Sequence, residues 1–113
     1  VRFSLPPGRR LRRRTEFQRV FDAGRRAHGR YLTIVASPSA QPTARLGIVA
    51  SRKIGGAVSR NRAKRLIREA FRTVTSAAAS DLVVIAKPAA VEAKVADLRT
   101  DYIATLKRLG LSN

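Results

Sequence analysis

The chain has 113 residues, of which 24 are Lys or Arg and 7 are Asp or Glu, for a net charge of +17. Its length leaves room for one hydrophobic core and so predicts one domain over residues 1–113; 44% hydrophobic residues are enough to build that core, which excludes a disordered basic tail. Self-repulsion on this scale opposes compaction, so the charge implies a polyanionic partner, with nucleic acid ahead of an acidic membrane surface. The absence of Cys excludes disulfides and thiolate metal sites. No apolar run approaches the ~18 residues of a spanning helix and no hydrophobic signal segment leads the chain. A cytoplasmic protein is therefore expected, and Val1 suggests a processed, trimmed or alternatively started chain.

Residues 1–14 are rich in Pro and Arg and read as an irregular basic arm. Thr15 and Gln18 have capping-box spacing for a helix with Phe17, Val20 and Phe21 as its apolar positions. Gly24 suits the left-handed position that closes such a helix. Tyr31 to Ala36 is β-prone, Pro38 and Pro42 bracket a turn, and Leu46 to Ala50 predicts the next strand. The basic loop from Ser51 to Val58 carries Arg52, Lys53 and the pair Gly55-Gly56. Ser59 is then the expected N-cap of a long helix running to about Thr75. Leu82 to Ala86 is continuously apolar, as in a strand buried on both faces. Pro88 ends it. The last helix is expected from Lys94 or Val95 to Gly110, with Leu98, Tyr102, Leu106 and Leu109 on one stripe.

The helix from Ser59 to Val74 is the most informative segment. At about 100° per residue, Ala63, Leu66, Ile67, Ala70, Phe71 and Val74 share one side, and Asn61, Lys64, Arg65, Arg68 and Arg72 share the other. The first set packs on a core. The second is a rigid row of cations at one-turn steps, suited to phosphates along a nucleic-acid backbone. Arg60 and Arg62 sit in the first turn, where the helix dipole also favours anions. An ordinary solvated face would mix signs so that i, i+4 pairs form. Residues 52–72 instead hold eight basic side chains and one acidic, Glu69.

Protein-based catalysis finds no support in these residues. His28 is the single His, and the acids are scattered, with Asp97 and Asp101 an ordinary i, i+4 surface pair. A nuclease needs a metal-binding carboxylate cluster or a His/acid pair. Gly55-Gly56 lacks the spacing of a nucleotide-binding loop.

Residues 51–72 (SRKIGGAVSRNRAKRLIREAFR), centred on Arg60-Asn61-Arg62, closely resemble the signature of the bacterial ribonuclease P protein family. Residues 14–24 (RTEFQRVFDAG) are similar to that family's first helix, and Leu82 to Pro88 to its last strand. At Ser51 and Gly56 the sequence departs from members that place Lys there. The resemblance implies an α+β fold of order αβββαβα, with a mixed central sheet. It also implies a left-handed crossover holding the Arg-Asn-Arg helix, against the general right-handed rule.

By the same resemblance, the chain would be the protein subunit of an endoribonuclease that removes the 5′ leader of precursor tRNA. The catalytic site and its Mg2+ would belong to the RNA subunit, with no cofactor bound by the protein alone. Arg60, Asn61, Arg62, Lys64, Arg65 and Arg68 would face that RNA, in a complex with one protein monomer per RNA. Phe17, Phe21, Tyr31, Arg52 and Lys53 would line a cleft for the single-stranded leader, where stacking and cations are indifferent to base identity. From spacing alone, Phe17 and Phe21 read as core. Neither membrane nor DNA is an expected partner. A structural ribosomal RNA-binding protein and a DNA-binding regulator share the charge and size, and remain the competing readings of the residues themselves.

Overall fold

The computed structural model describes residues 7–39, 43–74 and 79–111 of the chain. Among them, apolar runs form β2 (Leu32–Pro38), β3 (Arg45–Val49) and β4 (Ser80–Ala86), and the polar segment Arg25–His28 forms β1 against β2. The helices are α1 (Arg14–Ala23), α2 (Ala57–Thr73) and α3 (Val95–Arg108), with short 3-10 turns at Pro7–Arg9, Arg52–Ile54 and Pro88–Glu92. The sheet order is β1-β2-β4-β3. β2 runs antiparallel to both β1 and β4, with Ile34 opposite Ala27 and Val84, and β3 runs parallel to β4 with Ile48 opposite Val84. This is the expected α+β class in the order αβββαβα, and α2 is the crossover between the parallel neighbours β3 and β4.

Because strand side chains alternate, the sheet has two distinct faces. On one, Leu32, Ile34, Leu46, Leu82 and Val84 meet Ala63, Leu66, Ile67, Ala70 and Phe71 of α2 and Leu98, Tyr102 and Leu106 of α3. On the other, Val35 and Val83 are fully covered beneath Val20 of α1 and Leu11 of the arm, with Phe17, Phe21, Val49 and Ile85 half-buried around them. Each fully buried aliphatic side chain contributes about 1.5–3 kcal/mol. β4 is central, and neighbouring Val83 and Val84 are both at 0% exposure, as its unbroken apolar run predicts.

Three local expectations are corrected. α1 begins at Arg14, and its capping group is Glu16, whose Oε1 accepts the backbone N–H of Arg12 and of Arg13, both at 2.9 Å. The N-cap is therefore Arg13, two residues before Thr15, because the Glu16 carboxylate reaches back to the free donors that precede the helix. Gly24 is extended (φ −81°, ψ 156°) and not left-handed, since the chain passes directly into β1. Its need for glycine is spatial: an added Cβ would lie 2.4 Å from the Val20 carbonyl oxygen and 2.8 Å from Val35. α2 starts at Ala57 with Gly56 as its cap, three residues before the expected cap Ser59. α3 ends as expected, with Gly110 at φ 74°. Residues 1–6 of the arm and the part of the Pro38–Pro42 turn at residues 40–42 lie outside the described residues.

Arg45 fixes α1 to the sheet. Its Nε and Nη2 donate to Asp81 Oδ1 and Oδ2 at 2.9 and 2.8 Å, and its Nη1 donates to Glu16 Oε2 at 2.9 Å. Asp81 is buried in β4, directly opposite Arg45 in register. The two backbone donors from Arg13 and Arg12, aided by Arg45, hold the Glu16 carboxyl below its usual 4.5. A depressed folded-state pKa stabilises the native state fully above the unfolded value and loses that stabilisation as pH falls through the folded value. Urea unfolding from pH 6 to 2.5 should therefore show stability falling below about pH 4.5, with a shallower fall in Glu16→Gln. Equal slopes would show that Glu16 is not a source of the acid sensitivity.

Candidate nucleic-acid interface

The polar side of α2 divides into three strips. Asn61 and Arg65 are exposed along its centre, together with Arg72, which pairs with Glu69 at 3.5 Å. On one flank Arg62 turns inward. Its Nη1 donates to the Val91 carbonyl at 2.6 Å and the Ala90 carbonyl at 3.4 Å, and its Nη2 to the Ala93 carbonyl at 2.8 Å. Arg62 thereby ties α2 to the 88–92 turn, using a fork shaped for several acceptors. Arg60 is half-buried.

On the opposite flank Lys64 and Arg68 overhang a groove where the arm meets the outer edge of β3. The groove, of about 170 Å³, is lined by Arg10, Leu11, Phe17, Leu46, Gly47, Ile48, Lys64 and Arg68. The arm reaches it because Leu11 donates its N–H to the Leu46 carbonyl at 2.9 Å and Arg9 donates Nε to the Ala44 carbonyl at 2.7 Å. Arg9 also lies over the Phe71 ring, 5.2 Å from its centroid. The Phe17 ring rests on the Gly47 backbone so closely that a Cβ there would approach its Cζ to 2.6 Å. The cationic helix and the aromatic helix α1 thus share one groove.

Beyond α1, the same sheet face is only partly covered. Phe21 is half-buried there, with Arg26 of β1 5.5 Å from its ring centroid. One row further, the register aligns His28, Thr33, Ile85 and Val49 across all four strands. Ile85 and Val49 are half-buried and His28 is exposed, its Nδ1 3.0 Å from Thr33 Oγ1. Arg26, His28, Val49 and Ile85 escaped the sequence reading. Strand alternation puts Val49 and Ile85 on the face of Val35 and Val83, but only the sheet order brings the two residues together.

Arg52 and Lys53 are exposed on the 3-10 turn that follows β3, close to the Val49 end of this face. Tyr31 does not join Phe17 and Phe21. It packs against the α2–α3 core, with Arg30 5.2 Å from its ring centroid and its backbone N–H donating to Asp101 Oδ2 at 2.8 Å. The reason is the tight β1–β2 connection, which Asp101 of α3 holds by accepting from both Arg30 and Tyr31. Among the described residues, no group of three or more His, Asp or Glu side chains could hold a metal ion.

The ribonuclease P family model matches residues 5–110. The chain belongs to the ribonuclease P protein family. It is 40% identical to the ribonuclease P protein component of Acidothermus cellulolyticus over 109 residues, covering 93% of this chain and 91% of that one. The RNase P protein of Thermotoga maritima superposes with a TM-score of 0.78 at 32% identity, over 88% of this chain and 96% of that one. The RNase P protein of Staphylococcus aureus gives 0.82 at 29% identity, over 93% and 98%.

The Arg-Asn-Arg motif of this ribonuclease P protein therefore contains two unlike arginines. Replacing Arg62 with Ala strands three carbonyl acceptors and should lower folding stability by about 2 kcal/mol, the scale of a hydrogen bond to a charged group. Urea denaturation checks this, and a change below 0.5 kcal/mol, about that of an ordinary surface position, would contradict the internal role.

Proposed function

We propose that this chain binds the catalytic RNA of ribonuclease P through the exposed side of α2 and holds the 5′ leader of precursor tRNA along the partly covered sheet face beside α1. The observation that carries the reading is the placement of Phe17 beside Lys64 and Arg68 in one groove, continuous in sequence and register with Phe21, Arg26, Ile85 and Val49. Cations and aromatic faces together suit a single strand of any sequence, and a rigid row of cations suits the phosphates of a folded RNA.

The protein works here by binding. It offsets phosphate repulsion between leader and RNA subunit, and it keeps the leader in register with the cleavage site. The metal chemistry of the hydrolysis is assigned to the RNA subunit on the strength of the family resemblance. Arg60, Asn61, Lys64, Arg65 and Arg68 act on the RNA, and Arg62 acts by setting the pose of α2. Arg52 and Lys53 extend that face along the leader. The complex is read as one protein per RNA, in the cytoplasm.

Adding the purified protein to a bacterial ribonuclease P RNA at low magnesium should restore removal of the 5′ leader; no gain would sink the proposal and favour a structural ribosomal RNA-binding role. Two variants separate the surfaces. Arg65→Ala should reduce the salt slope of RNA-subunit binding by roughly one unit. Phe21→Ala should leave that slope unchanged while weakening binding of leader-bearing precursor more than of mature tRNA. The opposite pattern would reverse the assignment.

A further inference from the structure

We propose that Arg10, Lys64 and Arg68 form a seat for one RNA phosphodiester where the arm meets the outer edge of β3, with Phe17 as its apolar wall. The inference deepens the RNA-binding reading and rests on it. Three cations from two separate elements line this groove and no carboxylate does. Among the described residues, neither Lys64 nor Arg68 takes part in an ion pair. The Nε of Arg10 is buried without a hydrogen-bond partner. A buried donor left in that state is costly and calls for an acceptor. The bridge from Arg10 to Leu46 and the bond from Leu11 to the same residue hold the Arg10 backbone in place.

The chemistry of the ligand follows from the lining. A metal ion is excluded by the three positive charges, and an apolar ligand would leave them stranded. An oxyanion with several acceptor oxygens satisfies all three, and a guanidinium donates to such a group in a fixed fork. A volume of about 170 Å³ admits a phosphate and the start of its ribose. The ring of Phe17 then stands where the attached base can pack. The occupied strand could be the leader or the RNA subunit; both present the same phosphodiester.

The test uses the full-length protein labelled with 15N, titrated with inorganic phosphate at ionic strength matched by chloride, reading the Arg10 Nε–H resonance. That signal should shift saturably. Lys64→Gln and Arg68→Gln should each weaken the apparent affinity by roughly tenfold, while Arg99→Gln on exposed α3 should leave it unchanged. An unresponsive Arg10, or an equal loss in Arg99→Gln, overturns the seat, even in a protein that still activates the RNA at low magnesium. In a second arm, phosphate should compete with a leader oligonucleotide or with the RNA subunit for the wild type and not for Arg10→Gln. Whichever competes is the occupant, and competition with neither overturns the proposal.

Discussion

The geometry of the interface depends on where α1 lies, and beyond the packing of Val20 its position is fixed by one arginine between two carboxylates. Arg45 clamps buried Asp81 with two donors and reaches Glu16 with a third. Glu16 in turn closes the first turn of α1 by accepting from Arg12 and Arg13. Acids are scarce in this chain, seven in 113 residues, and two of them converge on this one guanidinium. Breaking a buried pair leaves an uncompensated charge, which costs more than the pair contributes. The clamp therefore specifies position more than it adds stability. With α1 so placed, Phe17 rests on Gly47, Phe21 meets Arg26, and Ile85 and Val49 remain accessible beside them.

The basic residues divide by what they face. Several of them donate to backbone carbonyls: Arg9 at Ala44, Arg25 at Leu109, Arg62 at residues 90, 91 and 93, Lys87 at Gly29, and Arg108 at His28. A chain with so few carboxylates anchors its cations on the peptide dipole instead. This use consumes little net charge, since the carbonyls are neutral, and the field that attracts RNA survives folding almost intact. Excess charge and a defined fold are compatible here because the acceptors are backbone groups.

Much of the architecture was legible because it follows from periodicity. The apolar stripe of α2, the unbroken run in β4 and the stripe of α3 each specify one element and its buried side. β1 was not legible: Arg25-Arg26-Ala27-His28 has neither alternation nor β-branched residues, and it is a strand only because β2 presents an edge for it to pair with. The inward turn of Arg62 depends on carbonyls some thirty residues away, in a turn that no local pattern announces. Tyr31 was grouped with Phe17 and Phe21 by the family resemblance; its packing against the α2–α3 core depends on the β1–β2 connection, whose backbone N–H groups are held by Asp101, seventy residues further on.

The two outer strands of the sheet have a consequence of another kind. β1 is four residues long with Arg25, Arg26 and His28 exposed, and β3 is flanked by Arg10, Lys64 and Arg68. Open strand edges are templates for pairing with another chain, and short, positively charged edges resist it. Two copies brought edge to edge would oppose arginine with arginine before a single ladder bond formed. The charge that suits a nucleic-acid partner thus also disfavours edge-to-edge β-aggregation of the protein with itself.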